Sequence, residues 1–474
     1  MLNSPQQTNE EEEINMILGG AFEAFVQAAP ISVMMRAIIE NTFNSQRIDD
    51  TFEQTAESQY TRILPFSRVS DLMSEVVFNI SPSIGAAIQA NTEEIEVSRK
   101  SVYNKLNGTE PQVSAALVDE TVERLTPVIK ELDASLPSAV LGYRVKILDG
   151  NHFSATEHRL AELRAVIDAP LPGKALVVLD PQLMLATKVI PCQDGHAQER
   201  ALLNSVLPDV EPDDLWIGDR NFCTLGFMFG ISDRLGKFLL RQHGSVQGIL
   251  LGKRKFKGET DTGKVYQQDL RLECQESGKA LIVRRITVEL HRPTRNGETV
   301  IHLLTNVPKK HASAPQLANL YRTRWTIETM FFELTETLTC EVKTLAYPKA
   351  AILAFCLALA AYNGISVIKA ALRAVYGTDS VEHELSGYYM ALEIAKTYNG
   401  MMIAIPDENW DIFANLTAPQ LAALLKKLAK HVVLSKYQKH PRGHKTPQPK
   451  RNKVSEGRHV STARLLAKRT RAAG

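Results

Sequence analysis

Three carboxylates, Asp149, Asp219 and Glu328, stand at places in the sequence from which strand ends and a helix edge can bring them together. Hydrolysing a phosphodiester, or transferring its strand, needs a nucleophile activated and a leaving oxygen stabilised. Two divalent ions about 4 Å apart do both, and they need hard oxygen donors converging from different segments. Each acid also has a plain structural reading. Asp149-Gly150 after a strand is a turn signal, Asp219 before Arg220-Asn221 can cap a loop, and Glu328 can pair with Arg324 one helical turn away on a surface helix.

Glu328 lies in the stretch Leu320–Lys343, LYRTRWTIETMFFELTETLTCEVK. Wound as one helix at about 100° per residue, it gathers Leu320, Ile327, Met330, Phe331, Leu334 and Leu338 into a core-facing stripe. Tyr321, Arg324, Glu328 and Thr335 share the adjoining edge, which can look into a cleft. A guanidinium there can grip a phosphate bidentately, and a phenol can donate one hydrogen bond. Trp325 and Phe332 are read as packing rather than base stacking, and His152 as structural.

The elements that must position these groups begin at Gly142. YRVKILDGN reads as a strand carrying Asp149 near its end, KALVVLDPQLMLATKVIP as two strands turning at Asp180-Pro181, and DLWIGD as a strand closing on Asp219. Helices are expected through His158–Val166, Ala197–Val206 and Thr224–Leu235, with a strand KFLLRQ after the last. Three sequential strands followed by alternating helix and strand is the order of a ribonuclease H-like α/β domain, in which the first and fourth strands are neighbours. After His243 the chain turns β-rich, with turn signals at Asp261–Gly263, Ser277-Gly278 and Asn296-Gly297.

The spelling of the helix resembles the signature of DDE transposases of the insertion-sequence-four family: Tyr, two residues, Arg, three residues, Glu, six residues, Lys. Tyr321, Arg324 and Glu328 match, whereas Thr335 stands in place of the Lys. The run DRNFC from Asp219 to Cys223 and the Asp-Gly at 149–150 are similar to the family's other two acid motifs, and the 109 residues from Asp219 to Glu328 leave room for its β-insertion. The resemblance covers roughly Leu141 to Tyr362. It implies Asp149, Asp219 and Glu328 as catalytic metal ligands, with two Mg2+ or Mn2+ ions per site, and Tyr321 and Arg324 as contacts to DNA phosphates near the cut. It also implies a cut-and-paste transposase that binds terminal inverted repeats, pairs two ends in a homodimer, cuts through a hairpin intermediate and joins the 3′ ends to target DNA. Its place would be the bacterial cytoplasm, at the nucleoid when bound to DNA. Two other readings stay open: a metal-dependent nuclease of the same superfold, and a catalytically inactive transposase-derived DNA-binding protein, to which Thr335 points.

The expected domains are a disordered 1–13, a helical N-terminal DNA-binding region 14–140, a catalytic domain of ribonuclease H-like mixed sheet over 141–243 and 305–375, an inserted β-domain 244–304, a helical C-terminal region 376–435, and a basic tail 436–474. In the N-terminal region Ser98 can cap a helix ended by Gly108 and presenting Arg99, Lys100 and Lys105, as in the second half of a helix-turn-helix. Lys253, Arg254, Lys255 and Lys257 around Phe256 suit a DNA backbone, and suit equally a solvated edge that blocks aggregation.

Charge sharpens this picture only when split along the chain. The formal net charge is +2. From Lys436 to Gly474 stand twelve Lys/Arg and one acid, Glu456, leaving 43 basic and 52 acidic residues elsewhere, a balance of −9. A cationic tail on an acidic body suits nucleic acid, or is a solvated end. The acidic start, Glu10–Glu13, is unlike a signal peptide, and five scattered cysteines suggest free thiols in a reducing compartment. Cys192 and His196 have a spacing a metal can use but no second pair, and the apolar run Ala350–Ala361 reads as a buried helix rather than a membrane span.

Overall fold

The computed structural model describes residues 20–59, 61, 63–153, 160–164, 169–274, 278–294, 296–440 and 459–473. The disorder expected over 1–13 therefore lies outside the described residues.

At the centre is a mixed sheet of nine strands flanked by helices. In chain order they are β1 (Arg144–His152), β2 (Lys174–Asp180), β3 (Leu185–Cys192), β4 (Asp214–Gly218), β5 (Lys237–Arg241), β6 (Ile249–Thr260), β7 (Gly263–Glu273), β8 (Ala280–Leu290) and β9 (Val300–Thr305). Their order across the sheet is β3-β2-β1-β4-β5-β9-β8-β7-β6. β1 pairs with β4 and β4 with β5 in parallel, and the other neighbours are antiparallel. The stretch 244–304, expected as an inserted β-domain, continues this same sheet, because β9 pairs with β5 through Leu303↔Arg241 to Thr305↔Leu239. The Asn296-Gly297 signal does close a hairpin, with Gly297 at φ 82° and Val300 facing Glu289.

The central strands are apolar on both sides because both sides are covered. Alternate residues Val145, Ile147, Val177, Leu215, Ile217 and Leu239 join the core shared with the helices, and Leu148, Leu176, Val178, Trp216, Phe238 and Leu240 join a second core under helix Leu225–Asp233. On the first face, helix Pro111–Glu131 buries Val113, Leu117, Val118, Thr121, Leu125 and Val128, a spacing of three and four, against helix Pro348–Tyr376. The latter runs 29 residues, well past the Ala350–Ala361 run, so it is long and apolar enough to cross a membrane, yet its apolar stretch lies wholly inside the protein. Asn363 fixes it to the sheet. Its amide donates to Thr121 Oγ1 (2.9 Å) and Ala186 O (3.0 Å), and its oxygen accepts from Ala186 N (2.8 Å).

The basic stretch 436–474 is not a tail throughout. His459–Ser461 pairs in parallel with Ala169–Leu171, and in the helix Thr462–Ala473 that follows, Leu465 and Leu466 pack around Leu163. Arg464 pairs with Asp194 (2.7 Å) and Arg469 with Glu162 (2.5 Å), so two of its cations are held by acids of the chain. All five cysteines are free thiols.

Candidate active site

Register alone brings two of the acids side by side. Leu148 faces Gly218 across the parallel pair β1/β4, so Asp149 and Asp219 follow at adjacent positions. Asp149 stands two residues after Ile147 and so points to the face covered by the helices. Its Oδ1 accepts from Gly150 N (2.9 Å). Asp219 sits just beyond β4 and caps the short turn Arg220–Phe222, its Oδ1 accepting from Asn221 N (2.7 Å).

The third acid arrives on a helix that is built differently from the expected single rod. Ser313 opens the first helix, Ala314–Arg322, with a capping box: its hydroxyl accepts from Gln316 N while the Gln316 side chain accepts from Ser313 N. At Thr323-Arg324 the winding tightens to three-residue bonds, Arg324 N to Tyr321 O (3.2 Å) and Ile327 N to Arg324 O (3.2 Å), and a second helix runs Trp325–Glu336. It stops at Glu336, short of Lys343. The apolar stripe is where periodicity put it: Leu320, Ile327, Met330, Leu334 and Leu338 are buried and Phe331 is partly so. Buried Arg284 on β8 holds the approach to this helix pair, donating to Val307 O (3.0 Å), Ala312 O (2.9 Å) and Gln267 Oε1 (2.9 Å).

Arg324, at the joint, ties the two walls together. One guanidinium nitrogen meets Asp149 Oδ2 at 2.9 Å and the other meets Glu328 Oε1 at 2.6 Å. Its side chain is 12 % exposed, against 17 % for Asp149 and 36 % for Glu328. Burial pushes the Asp149 carboxyl up to about 7; Arg324 and the Gly150 N–H oppose this, and the charges of Asp219 and Glu328 add to it. The Tyr321 phenol is pushed up to about 12, mainly by burial, and it feels Arg324, Arg241 and Asp219. Tyr321, Arg324, Asp149, Asp219 and Glu328 thus form one electrostatic neighbourhood.

The donors are carboxylate oxygens from two adjacent strand ends and a helix, which is the chemistry a hard divalent ion takes. Among the described residues no three acidic, histidine or cysteine side chains stand close enough to hold an ion as they are. Arg324 accounts for this physically, since its guanidinium lies between Asp149 and Glu328 and satisfies both. By donor type the residues fit the ions, and Arg324 is the group that must give way.

Other sequence candidates lie on separate elements. Ser98 does cap a helix, Arg99–Gly108, accepting from Ser101 N. Arg99 and Lys100 are exposed there, but Lys105 is not a free cation on its face: its ammonium sits 4.0 Å from the Phe52 ring centroid, and burial lowers its pKa. On β6, Lys253, Arg254 and Lys255 are exposed, and Arg254 pairs with Glu289 (2.8 Å) over the Tyr266 ring. Trp325 and Phe332, read as packing, are 60 % and 50 % exposed instead, because the helix face they occupy is not covered. His152 is half exposed, 3.8 Å from Glu199 Oε1. Cys192 and His196 turn separately to the Asp194 loop, through Sγ to Asp194 O and the backbone N–H to Asp194 Oδ1.

Sequence reasoning missed Glu199, Asn221 and Lys174. Glu199 opens the short helix Glu199–Ser205, and a Cβ on Gly150 would press into its carboxylate. The signal was Gly150 itself, read only as half of a turn.

Residues 141–363, a little under half of the chain, match the family model of the transposase DDE domain. The span takes in all three acids with Tyr321 and Arg324. No curated protein matches it. Seven chains among solved structures match. One of them is a chain of the piggyBac transposase synaptic complex with hairpin DNA, at 9 % identity and a TM-score of 0.40, over 80 % of this chain and 84 % of that one.

Proposed function

We propose that this chain is a cut-and-paste DNA transposase with a ribonuclease H-like catalytic core, of the insertion-sequence-four type. The observation that carries the reading is the joining of Asp149 and Glu328 through Arg324, with Asp219 at the strand position beside Asp149, inside the span that matches the transposase DDE domain. The strand order β3-β2-β1-β4-β5, with Asp149 in the second half of β1 and Asp219 just beyond β4, supports the ribonuclease H-like core.

In this reading Asp149, Asp219 and Glu328 hold two Mg2+ or Mn2+ ions, which supply a Lewis acid and an activated oxygen nucleophile for hydrolysis and then transesterification. The chain's own residues do the rest. Arg324 leaves its two carboxylates for a DNA phosphate, which offers the same bidentate geometry. Tyr321, kept protonated by burial, donates to a neighbouring phosphate oxygen. The DNA partners are the terminal inverted repeats and then target DNA, with a homodimer pairing the two ends and a hairpin formed during cleavage. The exposed cations of β6 and of helix Arg99–Gly108 offer backbone contacts outside the site. Five free thiols suit the reducing cytoplasm where such DNA lies.

The test is a supercoiled plasmid carrying the DNA that flanks the gene, incubated with the protein and Mg2+. Nicking, hairpin ends and joined products are expected. Nicking without joining would make the protein a nuclease, and binding without nicking would make it a DNA-binding relative that has lost catalysis.

A further inference from the structure

Asp149 and Glu328 meet on the helical face of the sheet, whereas Gly150 turns its missing side chain to the other face. Glu199 fills that space. The fit depends on glycine, because a Cβ there would overlap both Oε1 and the carboxyl carbon of Glu199. The side chain is only 15 % exposed, so it is placed rather than merely solvated.

One hydrogen bond, a nearby ammonium and a backbone strap set its place, and His152 Nδ1 lies 3.8 Å from its Oε1. Lys174, at the start of β2 and 4 % exposed, donates to Ala197 O and lends its charge to Glu199. The Asn221 side chain bonds to Glu199, while the Asn221 backbone N–H serves Asp219. Arg200 Nε donates to Asn221 O (2.9 Å), strapping residues 199–200 to the turn that carries Asp219. The charge of Asp219 is felt by both Asp149 and Glu199. Lys174 offsets part of the cost of bringing these carboxylates together, and a cation shared by Glu199 and Asp219 would offset more.

We infer that Glu199 is a fourth metal-directed carboxylate of the site, sharing with Asp219 an ion just beyond the end of β4. The inference rests on the transposase reading and adds a ligand to it. Asp149, Asp219 and Glu328 then need not carry both ions alone, and Gly150 is required because a Cβ there would displace the Glu199 carboxylate.

The test is Mn2+ binding by the full chain, followed through the paramagnetic resonance of the free ion, with no DNA cleavage in the readout. Wild type should bind, and Asp149→Asn should largely abolish binding. Glu199→Gln keeps the size of the side chain and an oxygen for Asn221, and should weaken Mn2+ by about tenfold or more. Should Glu199→Gln not fold, Gly150→Ala leaves the charge but displaces it, and must weaken Mn2+ likewise. Wild-type affinity in the folded variant overturns the role of Glu199 alone, provided Asp149→Asn is still deficient. Absence of Mn2+ binding by wild type overturns this inference and the metal-dependent reading together.

Discussion

The two walls of the site are held by different physics. On the sheet wall, Asp149 and Asp219 are fixed by strand register, with buried Ile147, Leu148, Ile217 and Gly218 behind them. On the helix wall, Glu328 rides on a helix that packs through Ile327, Met330 and Leu334, and it is joined to the sheet wall at the site by the single guanidinium of Arg324. A register cannot slip without turning every side chain to the wrong face, whereas a helix can roll or slide by an ångström and stay packed. If the proposed chemistry holds, the sheet wall sets where it happens, and the helix wall is the part that can adjust when substrate arrives.

Removing an acid from either wall is expected to have the largest effect. Asp149→Ala, Asp219→Ala and Glu328→Ala should each lower cleavage by about a hundredfold or more, since several kcal/mol of charge stabilisation goes with each ligand at about 1.4 kcal/mol per factor of ten. Binding to end DNA should persist in all three. Near-normal cleavage by Asp219→Ala would remove the second strand end from the site and dissolve the idea of a sheet wall. Next comes the support of the helix wall. Arg284→Ala strips donors from Val307 O, Ala312 O and Gln267, and should destabilise the fold by about 2 kcal/mol or more. A urea midpoint equal to wild type would show that the approach to Ala314 is held by something else.

Much of this arrangement is legible in the sequence, for identifiable reasons. The strands of the sheet wall announce themselves through apolar runs leading to Asp149 and Asp219, although β1 continues past the expected end at Asp149-Gly150 to His152, and the buried stripe of the helix follows from its period. The break at Thr323-Arg324 does not, because both residues keep helical dihedrals and only the bonding tightens. Nor does the merging of 244–304 into the main sheet, since pairing of β9 with β5 joins residues more than sixty apart in sequence, and no local signal encodes it. Lys105 was read from its place on a helix, but the Phe52 ring that draws it inward comes from another helix. Glu199 escaped notice because a single acid within a helical pattern looks like surface until Gly150 is seen beneath it.

Two smaller effects sharpen the contrast between exposed and inward-turned cations. If β6 meets DNA, Lys253→Ala with Lys255→Ala should flatten the slope of log affinity against log salt by about 1.8, roughly 0.9 for each phosphate contact. Lys105→Ala should leave that slope as it is, because the ammonium is engaged with Phe52. A slope that responds to Lys105 and not to the β6 pair would move the DNA to the N-terminal helices. Smallest of all, Thr335→Lys adds a cation about 10 Å along the same continuous helix from Glu328, where Thr335 now bonds back to Phe331 O (3.0 Å). It should tighten binding of pre-cleaved ends by on the order of 1 kcal/mol. Equal affinities across a salt series would show that this end of the helix wall does not face the phosphates.

The fork of Arg324 between Asp149 and Glu328 bears on how the protein meets DNA in the first place. A cleft of bare carboxylates repels a polyanion, and the repulsion grows as ionic strength falls. With a guanidinium already lying across two of the acids, the resting cleft shows an approaching duplex much less negative charge. On the transposase reading, the protein could then scan long stretches of DNA without these acids pushing the backbone away. The full anionic character of the cleft is uncovered only when a phosphate and the ions can occupy it together, so the same arginine that masks the acids during the search would gate them at the chosen end.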